Sequence, residues 1–330
     1  MNSTNSKNAK NFYPVKFFGK ETEGDLTRAN NSLFFRTTLF AGFCVAGGAL
    51  FWEPLRELAF LSLDDALYSH IGLIPLFSIA IIFLKRRVVF SRIKFAPVIG
   101  AAVVLPGVIL LLVGKIYQLE LVTRDYLSLY TSGLLLWTIG GFVGIYGERA
   151  FRRAMFPLLF LFFAVPVPTV VLDRSIRFLQ HMTADTVDNV FGLTGLTYLR
   201  NGTVFHLPEV TIEVTEQCSG IRSSLALIVA TTAAGYVFLE TGWRRLLLVL
   251  AIIPITIFKN ALRITTLTLM ASYVDPSWLT DSWLHRAGGK PFFIIALLLW
   301  SPILWMLWRS ERKYHTQGEA KGSRINKFFG

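Results

Sequence analysis

A cysteine in the motif EQCSGIRSS is the residue best suited to act as a nucleophile. Cys218 is expected to open a helix, where the positive end of the helix dipole lowers the pKa of a thiol below its free value of about 8.5. That shift favours the thiolate, the form that attacks carbonyl carbon. The alternative is a small buried residue, the commoner fate of a lone cysteine, and Cys44 within an apolar run fits that alternative well.

Two cations lie inside the apolar stretch IIPITIFKNALRITTLTLM further along the chain. Lys259 and Arg263 are four residues apart and therefore share one helix face, with Asn260 on a neighbouring stripe. A charge inside a membrane helix costs about 2.5–3.5 kcal/mol on insertion scales, which favours a functional interpretation. A structural polar seam between helices is the alternative, and the pattern alone does not choose between them.

The composition of the chain indicates which kind of protein holds these residues in position. Of 330 residues, 53% are hydrophobic and 16% are charged, and the mean hydropathy is +0.51. Soluble domains have about 25% charged residues, so a soluble globule is disfavoured. The net charge of +12 would suggest a nucleic-acid partner in a soluble protein. In a membrane protein, an excess of Lys and Arg is typical of loops that remain in the cytoplasm. No nucleic-acid partner is therefore expected.

The predicted fold class is an all-α integral membrane protein, one bundle of about eight transmembrane helices. Apolar runs near the length of about 20 residues that crosses a bilayer define these spans. They lie at 33–52, 71–84, 95–114, 128–146, 154–172, 219–239, 246–272 and 291–308. The second run is short, and the fifth contains three prolines, which membrane helices tolerate when neighbours satisfy the freed backbone groups.

Basic residues predict the orientation of the bundle. With the N-terminus in the cytoplasm, the cytoplasmic segments hold 21 Lys and Arg and the opposite loops hold 8. Cytoplasmic loops are enriched in these residues, so both termini are expected there. The predicted domains are a polar cytoplasmic N-terminus at 1–32, a single transmembrane domain at 33–308 and a basic cytoplasmic tail at 309–330.

The outer loop at 173–218 is the sizeable segment predicted outside the membrane. From Val210 to Thr215, β-branched residues alternate with polar ones. This period of two predicts a short extended segment leading into the sixth helix, with an irregular loop as an equal alternative.

Helical counting places the cysteine and the arginine at similar depth. The sixth and seventh helices join through a short loop near Gly242 and are expected to be antiparallel neighbours. Cys218 lies 24 residues before Gly242 and Arg263 lies 21 after it, so their depths differ by about 4.5 Å. Both lie toward the predicted outer face, and Lys259 lies one turn deeper, which makes it the weaker candidate.

A histidine commonly transfers the protons in cysteine-based catalysis. The predicted topology removes His315, which lies on the cytoplasmic tail. His285, in the loop that follows the Arg263 helix, is the best placed of the others, and His206 is its rival on spacing alone.

Other patterns in the sequence are weaker indications of a functional site. The spacing of Gly140 and Gly144 favours close helix packing over catalysis. The chain has no Walker loop, no dinucleotide fingerprint and no HExxH, and adjacent Asp64 and Asp65 have no further metal ligands nearby in the sequence. No cofactor and no metal is therefore expected.

The stretch at Glu216–Ser224, the segment NALRIT at Asn260–Thr265 and a loop histidine before the last span together resemble the exosortase/archaeosortase family. The resemblance covers about residues 209–300 in motif, whereas residues 1–170 match only in hydrophobic layout. It implies the catalytic residues Cys218, Arg263 and His285. It also implies four supporting positions within the motifs: Glu216, Ser219, Gly220 and Asn260.

Members of that family are proposed to be membrane cysteine transpeptidases that process C-terminal sorting signals, of which PEP-CTERM is the best known. The resemblance implies a multi-pass protein of the bacterial inner membrane with its active site facing the periplasm. Cys218 would form a thioester, Arg263 would stabilise the oxyanion and His285 would transfer protons. Secreted proteins with a C-terminal sorting tail would be the substrates, held in membrane lipid, and water or an envelope lipid or exopolysaccharide would be the acceptor.

Two other functions fit parts of the sequence. A transporter or flippase of an anionic envelope precursor would use Lys259 and Arg263 to bind its cargo, although repeated halves are absent from the sequence. A non-catalytic exopolysaccharide assembly protein would need none of these residues.

Overall fold

Long apolar runs fold as helices in the computed structural model, because a helix pairs its own backbone groups where water is absent. The structure describes residues 23–65, 67–117, 121–208, 210–215, 220–279 and 290–328. The first eight helices are α1 (Glu23–Leu50), α2 (Trp52–Asp64), α3 (Leu73–Leu84), α4 (Arg86–Val89), α5 (Pro97–Ile116), α6 (Thr123–Tyr146), α7 (Glu148–Phe160) and α8 (Thr169–Thr194). Three strands follow, β1 (Leu199–Asn201), β2 (Val204–His206) and β3 (Thr211–Glu213). The remaining helices are α9 (Ile221–Phe238), α10 (Gly242–Leu250), α11 (Ile252–Tyr273) and α12 (Lys290–Phe328).

Within the described residues, six helical segments are long and apolar enough to cross a bilayer. They are Asn31–Leu50, Pro97–Ile116, Thr123–Tyr146, Ile221–Phe238, Gly242–Tyr273 and Pro291–Lys313. Each overlaps a run predicted from the sequence. The predicted run 71–84 is the shorter apolar helix α3, of 12 residues. The count of eight spans and the cytoplasmic location of the termini stay predictions.

The fifth predicted run, 154–172, is not one straight helix. The chain forms α7, a 3-10 helix at Leu161–Ala164 and then α8, and the two helical halves are bent by 84°. Pro166 and Pro168 explain the break, because proline has no N–H to donate and disfavours helical backbone in the residue before it. Asp125 of α6 holds the new direction, since its carboxylate accepts a hydrogen bond of 2.7 Å from the Thr169 N–H.

Glycines bring α5 and α6 into backbone contact. A Cβ atom added to Gly100 would lie 2.6 Å from Gly144 Cα and 2.8 Å from the Gly140 carbonyl oxygen. The packing role predicted for the Gly140 and Gly144 spacing is therefore confirmed, and its partner is a glycine on the preceding helix.

The segment between α8 and α9 folds into an antiparallel sheet of order β1-β2-β3. β3 confirms the extended segment predicted between Val210 and Thr215, whereas β1, β2 and the long α8 were not predicted. Phe191 of α8 and Phe205 of β2 are fully buried and pack with Ala261 and Ile264 of α11. The described residues of 169–215, called the outer unit after the location that the sequence predicts for this loop, therefore rest on the helix that carries Lys259 and Arg263.

At the other end of α9, a carboxylate from α12 holds the turn into α10. Glu311 accepts hydrogen bonds from the N–H groups of Glu240 at 2.9 Å and Thr241 at 2.8 Å, and from the Thr241 hydroxyl. Arg244 lies 3.3 Å away, and both charged side chains are buried. These contacts, called the Glu311 latch below, hold α12 against the connection between α9 and α11.

Candidate functional site

The site begins where α9 starts. Gly220 is the residue before the first helical turn and has a φ of +75°, in the left-handed region. Its carbonyl accepts the first helical hydrogen bond, from the Ser224 N–H at 2.9 Å. Cys218, which the sequence predicts to open this helix, lies outside the described residues. Within them the helix begins at Ile221, directly after the left-handed glycine.

Gly220 lies against the side chain of Asn260 on α11. A Cβ atom at position 220 would be 2.6 Å from Asn260 Oδ1 and 2.7 Å from its Cγ, so no side chain fits there. Asn260 is only 2% exposed. This contact confirms that the sixth and seventh predicted helices are neighbours, and it joins the two motifs that were singled out from the sequence.

Two serine hydroxyls reinforce the turn. Ser223 and Ser224 each donate a hydrogen bond of 2.9 Å to the Gly220 carbonyl oxygen, in addition to the backbone bond. That carbonyl therefore accepts three hydrogen bonds from the first turn of α9. The backbone just after the motif cysteine is held at one orientation.

Lys259 contacts the same turn from α11. Its Nζ donates a hydrogen bond of 2.5 Å to Ser223 Oγ, and the residue is 5% exposed. The sequence prediction put Lys259 one turn deeper than Arg263 and ranked it the weaker candidate. The depth of Lys259 in the membrane stays a prediction, but its side chain contacts the motif through Ser223, for which no role was predicted from the sequence.

Arg263 follows Lys259 by one turn of α11 and is partly buried. Its Nε is buried and, within the described residues, has no hydrogen-bond partner. In that part of the chain neither Lys259 nor Arg263 forms an ion pair with a carboxylate. A buried cation without a counter-ion favours an anion at the same place, because burial removes the water that would otherwise stabilise its charge.

Four predicted site residues lie outside the described residues: Glu216, Cys218, Ser219 and His285. The structure brings together the other members of the set, Gly220 and Asn260, and puts Arg263 one helical turn from the Lys259 contact. His206, the rival histidine, is exposed on β2, with its Nδ1 3.2 Å from Thr211 Oγ1. Within the described part, no group of three potential ligands from His, Cys, Asp and Glu could hold a metal ion.

The outer unit leads the chain into the motif. Gln180 of α8 donates a hydrogen bond of 3.0 Å to the Val214 carbonyl, and the Val214 N–H donates to the Thr203 carbonyl at 3.0 Å. The chain is therefore anchored four residues before Cys218 by groups on α8 and on the sheet.

Charged side chains join β1 to α8 in the outer unit. Arg200 of β1 pairs with Asp185 at 2.5 Å and Asp188 at 3.1 Å on α8, and the Tyr198 hydroxyl donates to Asp188 at 2.7 Å. The hydrogen bond from Tyr198, aided by Arg200, holds the pKa of the Asp188 carboxyl below its usual value. The hydrogen bond to Asp185 raises the pKa of Arg200. Asp188 and Arg200 are therefore charged at neutral pH.

These features define a class of protein, a multi-pass helical membrane protein with a cationic polar cluster between two neighbouring spans. The chain belongs to the transmembrane exosortase family, because the family model described as transmembrane exosortase (Exosortase_EpsH) matches residues 61–301. The resemblance drawn from the motifs is thus confirmed, and the match extends further toward the N-terminus than the motifs do. No curated protein and no solved structure matches the chain.

Proposed function

We propose that this protein is a membrane cysteine transpeptidase or protease that cleaves the C-terminal sorting tails of secreted proteins at the outer face of a bacterial inner membrane. The observation that carries the proposal is the packing of Gly220 on Asn260, which joins the cysteine motif to the arginine motif. Both motifs lie within the range matched by the family.

Cys218 is the proposed nucleophile. It precedes Gly220 by two residues, and consecutive Cα atoms are 3.8 Å apart, so the chain cannot carry it further than about 7.6 Å from Gly220 Cα. Gly220 is the cap of α9, where unpaired N–H groups and the helix dipole favour negative charge. A thiolate is therefore favoured near this point over a neutral thiol.

Arg263 is the proposed oxyanion-stabilising group. It has a buried Nε without a hydrogen-bond partner among the described residues. A donor held in place before the reaction loses little free energy to reorganisation when negative charge develops on the carbonyl oxygen.

The proposed reaction regenerates the Cys218 thiolate in its last step. The Cys218 thiolate attacks the scissile carbonyl carbon, the C–N bond breaks, and His285 donates a proton to the leaving amine, which leaves a thioester. An acceptor then attacks the thioester and gives its proton to His285, and the thiolate is released. Water as the acceptor gives hydrolysis, whereas a hydroxyl or amine of an envelope lipid or glycan gives transfer.

The proposed substrate is a secreted protein with a tripartite tail. A short motif lies outside the membrane, an apolar helix anchors it in the lipid, and a basic cluster remains in the cytoplasm. The helix would hold the scissile bond at the level of the polar cluster, where orientation replaces a bimolecular encounter. Glu216, Ser219, Gly220 and Asn260 are proposed to support the nucleophile and the oxyanion site.

The test is co-expression of the protein with tagged secreted proteins that carry several candidate sorting tails from the same genome. Tail cleavage is followed by gel mobility in the wild type, in Cys218→Ala and in the matched control Cys44→Ala. We expect cleavage in the wild type and in Cys44→Ala and none in Cys218→Ala. Equal cleavage in all three proteins would remove the nucleophile from the proposal.

The absence of a carboxylate ion pair at Lys259 and Arg263 in the described part of the chain also favours transport of an anionic precursor. A carrier of that kind has no need of a thiol. It would keep its activity in Cys218→Ala, so the same variant separates the two functions.

A further inference from the structure

We infer that Lys259 is a positioning residue of this site, which acts through Ser223 on the turn at Gly220 that follows Cys218. The inference rests on the proposed function and deepens it. Its basis is a continuous hydrogen-bond chain from the Lys259 ammonium to Ser223 Oγ at 2.5 Å and from that hydroxyl to the Gly220 carbonyl at 2.9 Å.

The chain of hydrogen bonds joins two helices at one point. Lys259 and Asn260 are consecutive on α11, and they contact Ser223 and Gly220, which lie at the start of α9. One contact is a hydrogen bond and the other is direct packing. Together they fix both the distance and the rotation of the α9 start relative to α11, and Arg263 is carried on the same helix.

The hydrogen bonds that the Gly220 carbonyl needs at the start of α9 form without Lys259. The Gly220 carbonyl already accepts the Ser224 N–H and the Ser224 hydroxyl, each at 2.9 Å. Ser223 adds a third donor to that carbonyl and at the same time accepts from Lys259. The distinguishing role of Ser223 is therefore the link to α11, and Ser224 provides a natural control without that link.

The charge of Lys259 points to the same role. A buried ammonium beside the start of α9 is unfavourable by itself, because the helix dipole is positive there. The charged neighbour that acts on Lys259 in the described part of the chain is Arg263, another cation. Two cations and a helix start repel one another unless an anion offsets their charge, and a thiolate at Cys218, two residues before Gly220 in the sequence, would supply such an anion.

The test measures how fast iodoacetamide alkylates Cys218 between pH 5 and 10 in the full-length protein, purified in detergent in a Cys44→Ala background. The thiolate is the reacting form, so the rate profile yields the pKa of Cys218. In Lys259→Met we expect the pKa of Cys218 to rise by about one unit, which slows the reaction about tenfold at a pH below both pKa values. Lys259→Arg retains charge and donors and is expected to restore the rate to within about threefold.

The serine pair keeps the inference falsifiable if Lys259→Met does not fold, which a thermal melt would reveal. Ser223→Ala and Ser224→Ala each remove one hydroxyl from the same carbonyl, but only the first cuts the link to Lys259. We expect a slower reaction and a shifted pH profile in Ser223→Ala and a wild-type profile in Ser224→Ala. Identical profiles in the two variants would overturn the inference.

The readout needs no sorting substrate, so it separates this inference from the proposed function. Normal alkylation in Lys259→Met and Ser223→Ala, with tail cleavage still dependent on Cys218, would overturn the positioning role alone. A wild-type Cys218 with the reactivity of an ordinary thiol would overturn both, because the inference requires a stabilised thiolate.

Discussion

Gly220 and Asn260 pack so closely that no side chain can replace the hydrogen of Gly220. A Cβ atom there would lie 2.7 Å from Asn260 Cγ, and the backbone has a φ of +75°, which disfavours any residue with a side chain. The contact joins residues 40 positions apart. It sets the position of α9, whose start follows the proposed nucleophile in the sequence, relative to α11, which carries the proposed oxyanion-stabilising arginine.

Substitution of Gly220 by alanine tests this contact. We expect Gly220→Ala to lose about 2–4 kcal/mol of unfolding free energy, from left-handed strain together with overpacking in the core. Tail cleavage should fall to background even in the fraction that folds, because the two motifs are forced apart. Thermal unfolding in detergent and the cleavage assay measure the two effects.

Gly195→Ala is the matched control, since Gly195 has a φ of +71° but nothing within 4 Å of an added Cβ. It carries the backbone strain without the clash, so we expect a loss of about 1 kcal/mol and normal cleavage. Equal losses in the two variants would mean that the Asn260 contact contributes nothing.

Removal of the Arg263 charge tests the oxyanion site. We expect Arg263→Gln to lower the turnover number for tail cleavage by about 10²–10³-fold, the usual effect of losing one oxyanion donor. Its melting temperature should not fall, because Arg263 Nε has no hydrogen-bond partner to lose among the described residues. Arg309→Gln, an exposed cation on α12, should leave turnover unchanged. A variant that loses stability but retains turnover would assign Arg263 a structural role.

The Glu311 latch predicts a stability effect without a catalytic one. Glu311→Gln removes the charge that accepts two backbone N–H groups and faces Arg244, and the side chains of Glu311 and Arg244 are buried. We expect a loss of about 2–4 kcal/mol, since hydrogen bonds to a buried charge are strong and the remaining cation loses its ion-pair partner. Alkylation of Cys218 in the folded fraction should be unchanged.

Glu148→Gln is the matched control for Glu311→Gln. Glu148 forms an exposed pair with Arg152 four residues away, at 2.6 Å, and exposed pairs contribute at most about 1 kcal/mol. Its melting temperature should stay within a few degrees of the wild type. A Glu311→Gln protein as stable as Glu148→Gln would contradict the latch.

The outer unit should loosen in acid. The pKa of Asp188 is lowered in the folded state by the hydrogen bond from Tyr198 and by Arg200, so its contribution is complete above the ordinary carboxyl pKa. That contribution is lost as the pH falls through the lowered folded value. We expect smaller hydrogen-exchange protection factors at 199–206 in acid, after correction for the intrinsic exchange rate, by about 0.2–1 kcal/mol, because the groups are partly exposed.

Two variants check the assignment to Asp188. Asp188→Asn should show the smaller protection factors already at neutral pH and no further decrease in acid. Asp173→Asn, a substitution of an exposed residue on the same helix, should follow the wild type. An acid step that persists in Asp188→Asn would assign the transition to another group.

Much of the fold follows from the sequence. Six of the eight apolar runs are helices long enough to span a bilayer, because a run of this length without water has no other way to pair its backbone groups. The motif residues and the family also follow from residue identity alone. Counting from Gly242 also places Ser223, 19 residues before it, and Lys259, 17 residues after it, at similar depth along α9 and α11, although it leaves their rotation open.

The tertiary structure decided the parts that depend on contacts between distant segments. Three prolines did not reveal that the fifth run turns by 84°, because the direction after a proline break is set by partners such as Asp125. The hairpin of β1 and β2 was hidden because its strands are three residues long and its stability comes from packing on α8 and α11. The sequence by itself determined which residues could do chemistry and which six segments form helices long and apolar enough to cross a membrane, among the described residues. Only the packing of α9 on α11 decided that Gly220 meets Asn260 and that Lys259 reaches Ser223, since such contacts depend on helix rotation, which hydrophobic periodicity leaves open.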